Sequence, residues 1–336
     1  MAKTAVVILN WNGEVHLRRF LPSVVANTPA VVDIIVADNG STDSSIAILE
    51  QEFPTVRIIK LYNNYGFAAG YNKALQQIDA DYCVLLNSDV ETPAGWIEPL
   101  IARLSGNPSI AAVAPKLLSV ENRKEFEYAG ASGGFIDWFG YPFCRGRILQ
   151  SLECDEGQYD DSREVFWVSG AAFCCRMDVF RMLGGFADDF FAHMEEIDLC
   201  WRMQLAGYSV VIEPASKVYH LGGGTLATSS PRKIFFNHRN NLMMLFRCAP
   251  TFQRYAVAPL RLVTDTLAAI SYLAQGQPRW AWAVSRAYWD FLKWHSRLAS
   301  QRKIIRSAVV KESSAIYKGS IVVRYMLGKR KFNNII

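Results

Sequence analysis

The sequence predicts an α/β fold with a mostly parallel central sheet, followed by a C-terminal helical region. Three observations predict it. The first hundred residues alternate short apolar runs with helix-patterned segments; three of the four apolar runs end directly in polar clusters; and the pattern beyond Pro231 is helical. Apolar runs without polar alternation belong to strands buried on both faces, as in parallel sheets whose crossovers are helices. In such sheets ligands sit beyond the carboxyl ends of the strands, which is where the polar clusters fall.

The elements follow in order. Residues 5–9 form a short β-branched strand, and Val15, Leu17, Phe20, Leu21 and Val24 give 15–27 a helical spacing. Residues 33–37 are a second strand, running into Asp38-Asn39-Gly40-Ser41-Thr42-Asp43. A helix over 44–52, a strand over 56–61 and a helix over 68–77 come next. The fourth strand, 82–86, ends at Asn87-Ser88-Asp89. Residues 120–165 change character, with many glycines and then acids from Glu153 to Glu164. They read as a long surface excursion or irregular hairpin, a size often used for lids and binding loops. A strand over 165–177, a helix over 178–183 stopped by Gly184-Gly185, and a helix over 199–206 stopped by Gly207 precede a strand at 209–212. Val218-Tyr219-His220 then leads into a glycine turn at 222–224. The helical region that follows has an apolar face on Leu260, Val263, Leu267, Ile270 and Ala274, with Arg261 and Asp265 off it. We place a domain over 1–245 and a basic helical region over 246–336.

Composition narrows the classes. With 51% apolar and 20% charged residues over 336, the chain has ample material for a core and is not disordered. Seven cysteines without framework spacing read as reduced thiols packed in the core, in a cytosolic setting. The N-terminal apolar run is too short for a secretory signal. No run of about 18 uncharged apolar residues occurs, so no transmembrane helix is predicted. The net charge of +5 is divided unevenly: residues 279–336 carry 13 Lys/Arg against Asp290 and Glu312.

Chemistry concentrates in a few segments. Glu195, Glu196 and Asp198 lie within four residues, after Phe190-Phe191 and before an apolar run. Carboxylates are seldom buried alone, so this cluster calls for a cation, a proton or solvent. The plainer alternative is a helix start, where acids favour the macrodipole. The Asp38 cluster offers acceptors for a base N–H or a ribose hydroxyl, or is simply a turn. Residues 63–73 lead a polar loop into a helix whose first N–H groups suit a phosphate. Asp89 provides a hard oxygen ligand for a divalent ion, magnesium or manganese. His220, at a strand end, is either a further ligand or structural.

Together these segments resemble the family 2 glycosyltransferases. The resemblance rests on Asn10-Trp11-Asn12, the Asp38 cluster, Tyr65-Gly66-Phe67-Ala68-Ala69-Gly70-Tyr71-Asn72, Leu85-Leu86-Asn87-Ser88-Asp89, Gly184-Gly185-Phe186, Glu195-Glu196 and His220, in that order. It spans about residues 4–245 and is strongest to the bacterial rhamnosyltransferase-like branch that builds surface polysaccharides. It implies a GT-A fold that takes a dTDP- or UDP-linked sugar and transfers the sugar with inversion to a glycan acceptor, lipid-linked in many members. It assigns donor binding to Asn10, Trp11, Asn12, Asp38, Asn39, Ser41, Gly66, Phe67, Asn72 and Asn87. Asp89 and His220 become metal ligands, Glu196 the general base with Glu195 beside it, and Trp138, Asp198, Arg239 and Asn240 the acceptor side. Two departures stand out: Asn87-Ser88-Asp89 keeps one carboxylate of the DXD-like motif, and Glu196 replaces the usual aspartate. A base one methylene longer still reaches a hydroxyl at about 3 Å.

The tail has its own signature. Trp280, Trp282, Trp289 and Trp294 alternate with Arg279, Arg286 and Lys293, and Arg297, Arg302, Lys303 and Arg306 follow. Tryptophan with basic residues suits an anionic membrane surface, at about 1 kcal/mol per basic residue. A helical flap with a solvated basic face is the alternative, and nucleic acid is not an expected partner. The resulting expectation is a peripheral enzyme at the cytoplasmic face of the membrane. A non-catalytic sugar-nucleotide or glycan-binding module is the competing class, since fold does not fix function. A nucleotidyltransferase would want a basic phosphate-gripping loop near the N-terminus, and Asn10-Trp11-Asn12-Gly13 has no Lys or Arg.

Overall fold

A computed structural model describes residues 2–222 and 230–336. Gly223 and Gly224 of the expected glycine turn lie outside the described residues. The leading strands are β1 (Thr4–Asn10), β2 (Asp33–Asp38), β3 (Arg57–Lys60) and β4 (Tyr82–Asn87), joined by helices α1 (Glu14–Asn27), α2 (Ser45–Glu52) and α3 (Gly66–Leu75). All pair in parallel, in the order β4-β1-β2-β3. The centres of β1, β2 and β4 are buried, as strands covered on both faces must be, while the edge strand β3 buries only Ile59. The register sets Asn10 opposite Asp38 and Leu9 opposite Asn87, so three polar strand ends line one edge. In α1, Leu17, Phe20, Leu21 and Val24 face the core; Val15, counted in that stripe, is exposed.

Beyond β4 come β5 (Val90–Glu91), α4 (Glu98–Gly106) and β6 (Ile110–Ser119). A small second sheet follows, built from β7 (Gly134–Asp137), β8 (Pro142–Cys144), β9 (Arg147–Ile148) and β10 (Ser151–Leu152). Next are β11 (Arg163–Glu164), β12 (Ala172–Arg176), α5 (Met177–Met182), α6 (Glu195–Leu205) and β13 (Ser209–His220). The main sheet reads β11-β13-β6-β12-β4-β1-β2-β3, with β5 on β13. β12 runs against both β4 and β6. Only the end of the run expected as a strand over 165–177 is therefore a ladder strand. The pieces expected at 209–212 and 218–220 are one strand, because a register shift between Glu213 and Lys217 keeps the chain paired with β6. Its far end sets His220 opposite Val90, one residue from Asp89.

The segment expected as a surface excursion or irregular hairpin contains a hairpin, β7–β8, and is largely buried between 126 and 148. Phe126, Phe135, Phe143 and Ile148 belong to the core, because the end of the chain covers them. β14 (Ile316–Tyr317) adds in parallel to β7, and the Phe332 ring lies 5.3 Å from Phe135 and 5.8 Å from Tyr159. The boundary drawn at 245 falls inside α7 (Pro231–Cys248). Helices α8 (Thr251–Ala274), α9 (Pro278–Lys293), α10 (His295–Ser307) and α11 (Ile321–Met326) follow. Six cysteines are buried free thiols; Cys154, expected in the core, is exposed.

α8 is long and apolar enough, by length and composition, to cross a membrane, although no 18-residue run in it is free of charge. Arg261 and Asp265 interrupt its apolar run in the sequence. In the structure both turn inward.

Candidate active site

The strand tips form a rim whose polar groups largely hold one another. Asn10 donates from Nδ2 to Asp38 Oδ1 at 3.3 Å and to Ser41 Oγ at 3.2 Å. Asp38 accepts the Ser41 N–H at 3.0 Å, and Ser41 Oγ accepts the Asn12 N–H at 2.9 Å. Asn12, at φ +50°, takes the Thr42 N–H on Oδ1 at 2.7 Å. Asn39 is buried and stitches this rim to the next loop, accepting from Tyr65 N–H (3.1 Å) and donating to the Gly66 carbonyl (3.0 Å). Trp11 is 45% exposed on the same rim. Asn10 Oδ1 is buried without a partner.

At the start of α3 the backbone N–H groups are occupied. Phe67 and Ala68 both donate to the Phe191 carbonyl, at 2.6 and 3.3 Å. Gly66 has φ +79°, and a Cβ there would sit 2.6 Å from that same oxygen. Only glycine tolerates both the backbone and the contact. The helix start expected to greet a phosphate is thus capped by the loop that precedes Glu195. Asn72, assigned near the diphosphate, donates to Asp188 Oδ1 (2.6 Å) and the Phe186 carbonyl (2.9 Å), so it fastens that loop too.

Asp89 and His220 converge. His220 Nε2 lies 3.1 Å from Asp89 Oδ1 and 3.4 Å from Asn87 Nδ2. Behind the ring, Nδ1 is 3.4 Å from Glu127 Oε1. Burial alone would lower the imidazole pKa, but the Glu127 charge and the Asp89 hydrogen bond outweigh it and push it up to about 10. Burial works against the Asp89 carboxylate as well; His220 overcomes it and holds the group below its ordinary range. Once the Nε2 proton is displaced, as metal binding to histidine requires, the pair fits a divalent ion: an oxygen and a nitrogen about 3 Å apart match neighbouring ligands in an octahedron with about 2.1 Å bonds. A buried carboxylate behind the imidazole is the usual orienting partner of a metal-binding histidine. Among the described residues no group of three or more His, Cys, Asp or Glu is arranged to hold a metal.

Glu195 and Glu196 open α6 at the end of a contorted loop. Phe191, His193 and Met194 all have positive φ, at 63°, 70° and 72°. Such a run of non-glycine residues persists only where its surroundings over-determine it. Asn240 does so, its Nδ2 donating to the carbonyls of Phe190 (3.0 Å), Ala192 (2.9 Å) and His193 (2.7 Å). Arg239 adds bonds to the Asp189 and Phe190 carbonyls at 2.9 and 3.2 Å and an ion pair with Asp290. Both residues were assigned to the acceptor; their polar groups are spent on the loop that carries the carboxylates.

Oε2 of Glu195 and Oε2 of Glu196 are buried without partners. Burial raises Glu195 well above the carboxylate range, and the Glu196 charge adds to it. Glu196 is pushed up by burial to about 7, tempered by backbone N–H groups at the helix start. Burial thus disfavours charge on both carboxyls, and more strongly on Glu195 than on Glu196.

Asp198 is fully buried between Arg202 (2.8 Å) and Arg247 (2.9 Å), which removes it from acceptor contact and makes it the tie between α6 and α7. Trp138 is half-buried, and its carbonyl receives Gln253 Nε2 at 2.8 Å.

The two halves share an edge. A Cβ on Gly170 would lie 3.9 Å from Glu196 Cβ and 3.2 Å from Phe67 Cζ, and the next residue, Ala171, accepts the Asn87 N–H at 3.0 Å. Glu196 thus lies beside the segment that pairs with the end of β4, and Asp89 follows that end by two residues. Glu127, the residue that backs His220, was not foreseen, because it lies in a segment read as surface and nothing in its neighbours marks it.

Residues 5–154 match the family description "Glycosyl transferase family 2". The chain is 28% identical over 274 residues to the N-acetylglucosaminyl-diphospho-decaprenol L-rhamnosyltransferase of Mycobacterium tuberculosis, covering 76% of this chain and 87% of that one. Among solved structures it is similar to GalNAc-T7 with UDP, GalNAc and Mn2+ (TM-score 0.61, 18% identity, 78% of this chain and 51% of that one). It is also similar to S. aureus TarS 1-349 in complex with UDP-GlcNAc (TM-score 0.57, 14% identity, 97% and 92%). Residues 5–154 therefore carry a family 2 glycosyltransferase domain, and the mixed α/β fold of the chain matches that of GT-A glycosyltransferases.

Proposed function

We propose that the protein transfers a sugar, with inversion, from a dTDP- or UDP-linked donor to a hydroxyl of a lipid-linked glycan during surface polysaccharide assembly. One observation carries the reading: Glu196, whose Oε2 is buried without a partner, lies against Gly170 beside the segment that pairs with the end of β4, two residues before Asp89. The rhamnosyltransferase relative, named for a diphospho-decaprenol substrate, supports the acceptor class.

In this reading Trp11 stacks on the base and the Asp38 rim meets the ribose. Asp89 and His220 would hold magnesium or manganese, which offsets the charge building on the departing diphosphate. The acceptor oxygen attacks the anomeric carbon, the bond to the β-phosphate oxygen breaks, and the hydroxyl proton passes to Glu196. Glu195, adjacent and raised by burial well above the carboxylate range, resists carrying a second negative charge in the site. The C-terminal region 246–336 faces the inner surface of the cell membrane, where the acceptor resides.

The test is Glu196→Gln. It should bind the donor with manganese as the parent does, seen as an equal thermal stabilisation, yet give no transfer to a lipid-linked acceptor. Turnover near the parent's would take Glu196 out of the role. Loss of donor stabilisation in the parent itself would end the reading.

A further inference from the structure

α8 is built inside out. Gln253, Val257, Arg261 and Asp265 face the protein, and Arg261 is paired with Asp265 at 3.2 Å. Arg261 also donates to Asn241 Oδ1 at 2.9 Å, and Asp265 accepts the Tyr288 hydroxyl at 2.7 Å. The opposite side, carrying Phe252, Tyr255, Leu262, Val263, Leu267 and Ile270, is exposed, Leu267 by 60%. No charged residue of α8 is exposed. The neighbouring α9 buries small residues, Ala281, Ala283, Val284 and Ala287, and exposes Trp282 (68%) and Trp289. An apolar face this long on a water-exposed helix marks an interaction surface.

We propose that this face of α8, with the exposed tryptophans of α9, inserts into one leaflet of an anionic lipid bilayer, with α8 lying in the membrane plane. Crossing is disfavoured by the inner side: a spanning α8 would draw Arg261 and Asp265 away from Asn241 and Tyr288 into hydrocarbon. Lying flat keeps the ion pair in protein and gives the apolar residues to lipid, the arrangement of interfacial helices. Charge selects lipid over a second copy of this chain. Residues 279–336 carry 13 Lys/Arg against two acids, with Arg279 and Lys293 exposed at the ends of α9. That surplus attracts anionic headgroups and repels its own copy. The inference extends the proposed membrane-facing tail and rests on it for its purpose; it moves the contact from the basic tail to the outer side of α8.

The test is co-sedimentation of the full chain with mixed phosphatidylcholine–phosphatidylglycerol vesicles. The parent should partition onto them, and Val263→Glu with Leu267→Glu should reduce partitioning by about tenfold or more. Both positions are exposed, so stabilisation by nucleotide sugar should persist and show that the variant is folded. As a second measure, brominated lipid should quench the parent's tryptophan fluorescence, and Trp282→Phe with Trp289→Phe should remove most of that quenching. A parent that stays in the supernatant, a double variant that partitions as the parent does, or a vesicle-free dimer that the double variant dissociates would overturn the proposal. None of these outcomes touches donor binding or the Glu196→Gln result, so the two readings fail separately.

Discussion

Glu127 Oε1 stands 3.4 Å from His220 Nδ1, while His220 Nε2 faces Asp89 at 3.1 Å. Three buried groups from three separate segments thus form one line, with the imidazole in the middle. Glu127 is fixed in turn, because its Oε2 accepts the Ala129 N–H at 2.6 Å.

The first prediction concerns that line. Glu127→Gln should leave the fold and the donor rim intact and weaken manganese binding by about 10- to 100-fold, the usual effect of losing an orienting partner. Calorimetric titration of manganese in the presence of the nucleotide would measure it. An unchanged affinity would reduce Glu127 to packing.

Transfer should depend on pH through Glu196. The active form is the carboxylate, and burial pushes its pKa up to about 7. kcat/KM should therefore fall as pH drops below about 7, roughly tenfold per pH unit well below it. A profile flat from pH 5 to pH 8 would contradict this, as would a profile falling toward high pH in that window.

Stability should run the other way. Glu195 and Glu196 both have folded-state pKa values raised above the ordinary 4.5. Their neutral forms suit the fold, so their contribution is full below about pH 4.5 and is lost as pH rises through the folded values. Glu195→Gln should be more stable than the parent at pH 8, and the gain should grow with pH by up to about 1.4 kcal/mol per unit. Chemical denaturation at pH 5 and pH 8 would show it. A gain larger at pH 5 would overturn the assignment.

Asn240→Ala should act at a distance from the reacting atoms. It frees three buried or part-buried carbonyls of the loop before Glu195, at a cost of about 1–3 kcal/mol. Turnover should fall at least tenfold while donor affinity changes little, because the donor rim is held by other bonds. A variant with parent-like kcat and only a lower melting temperature would make Asn240 purely structural.

The sequence alone determined the alternation of strands and helices in the first ninety residues, and with it the edge that carries Asn10, Asp38, Asn87 and Asp89. Those features are local: apolar runs, helical spacing and turn-forming residues act over a few positions. It also marked Glu196 and His220 through their motif company. Tertiary structure decided the rest, because it depends on which distant segments meet. The antiparallel β12 between β4 and β6, the burial of residues 126–148 beneath Phe332, and the Glu127 carboxylate behind His220 all join positions far apart in the chain. The same holds for Arg239 and Asn240, which read as acceptor residues until the loop beside them was in place. α8 gives the sharpest division. Its period announces two faces, one apolar and one holding Arg261 and Asp265. Only packing decides that the charged face goes inward, because Asn241, Tyr141 and Tyr288 satisfy it there.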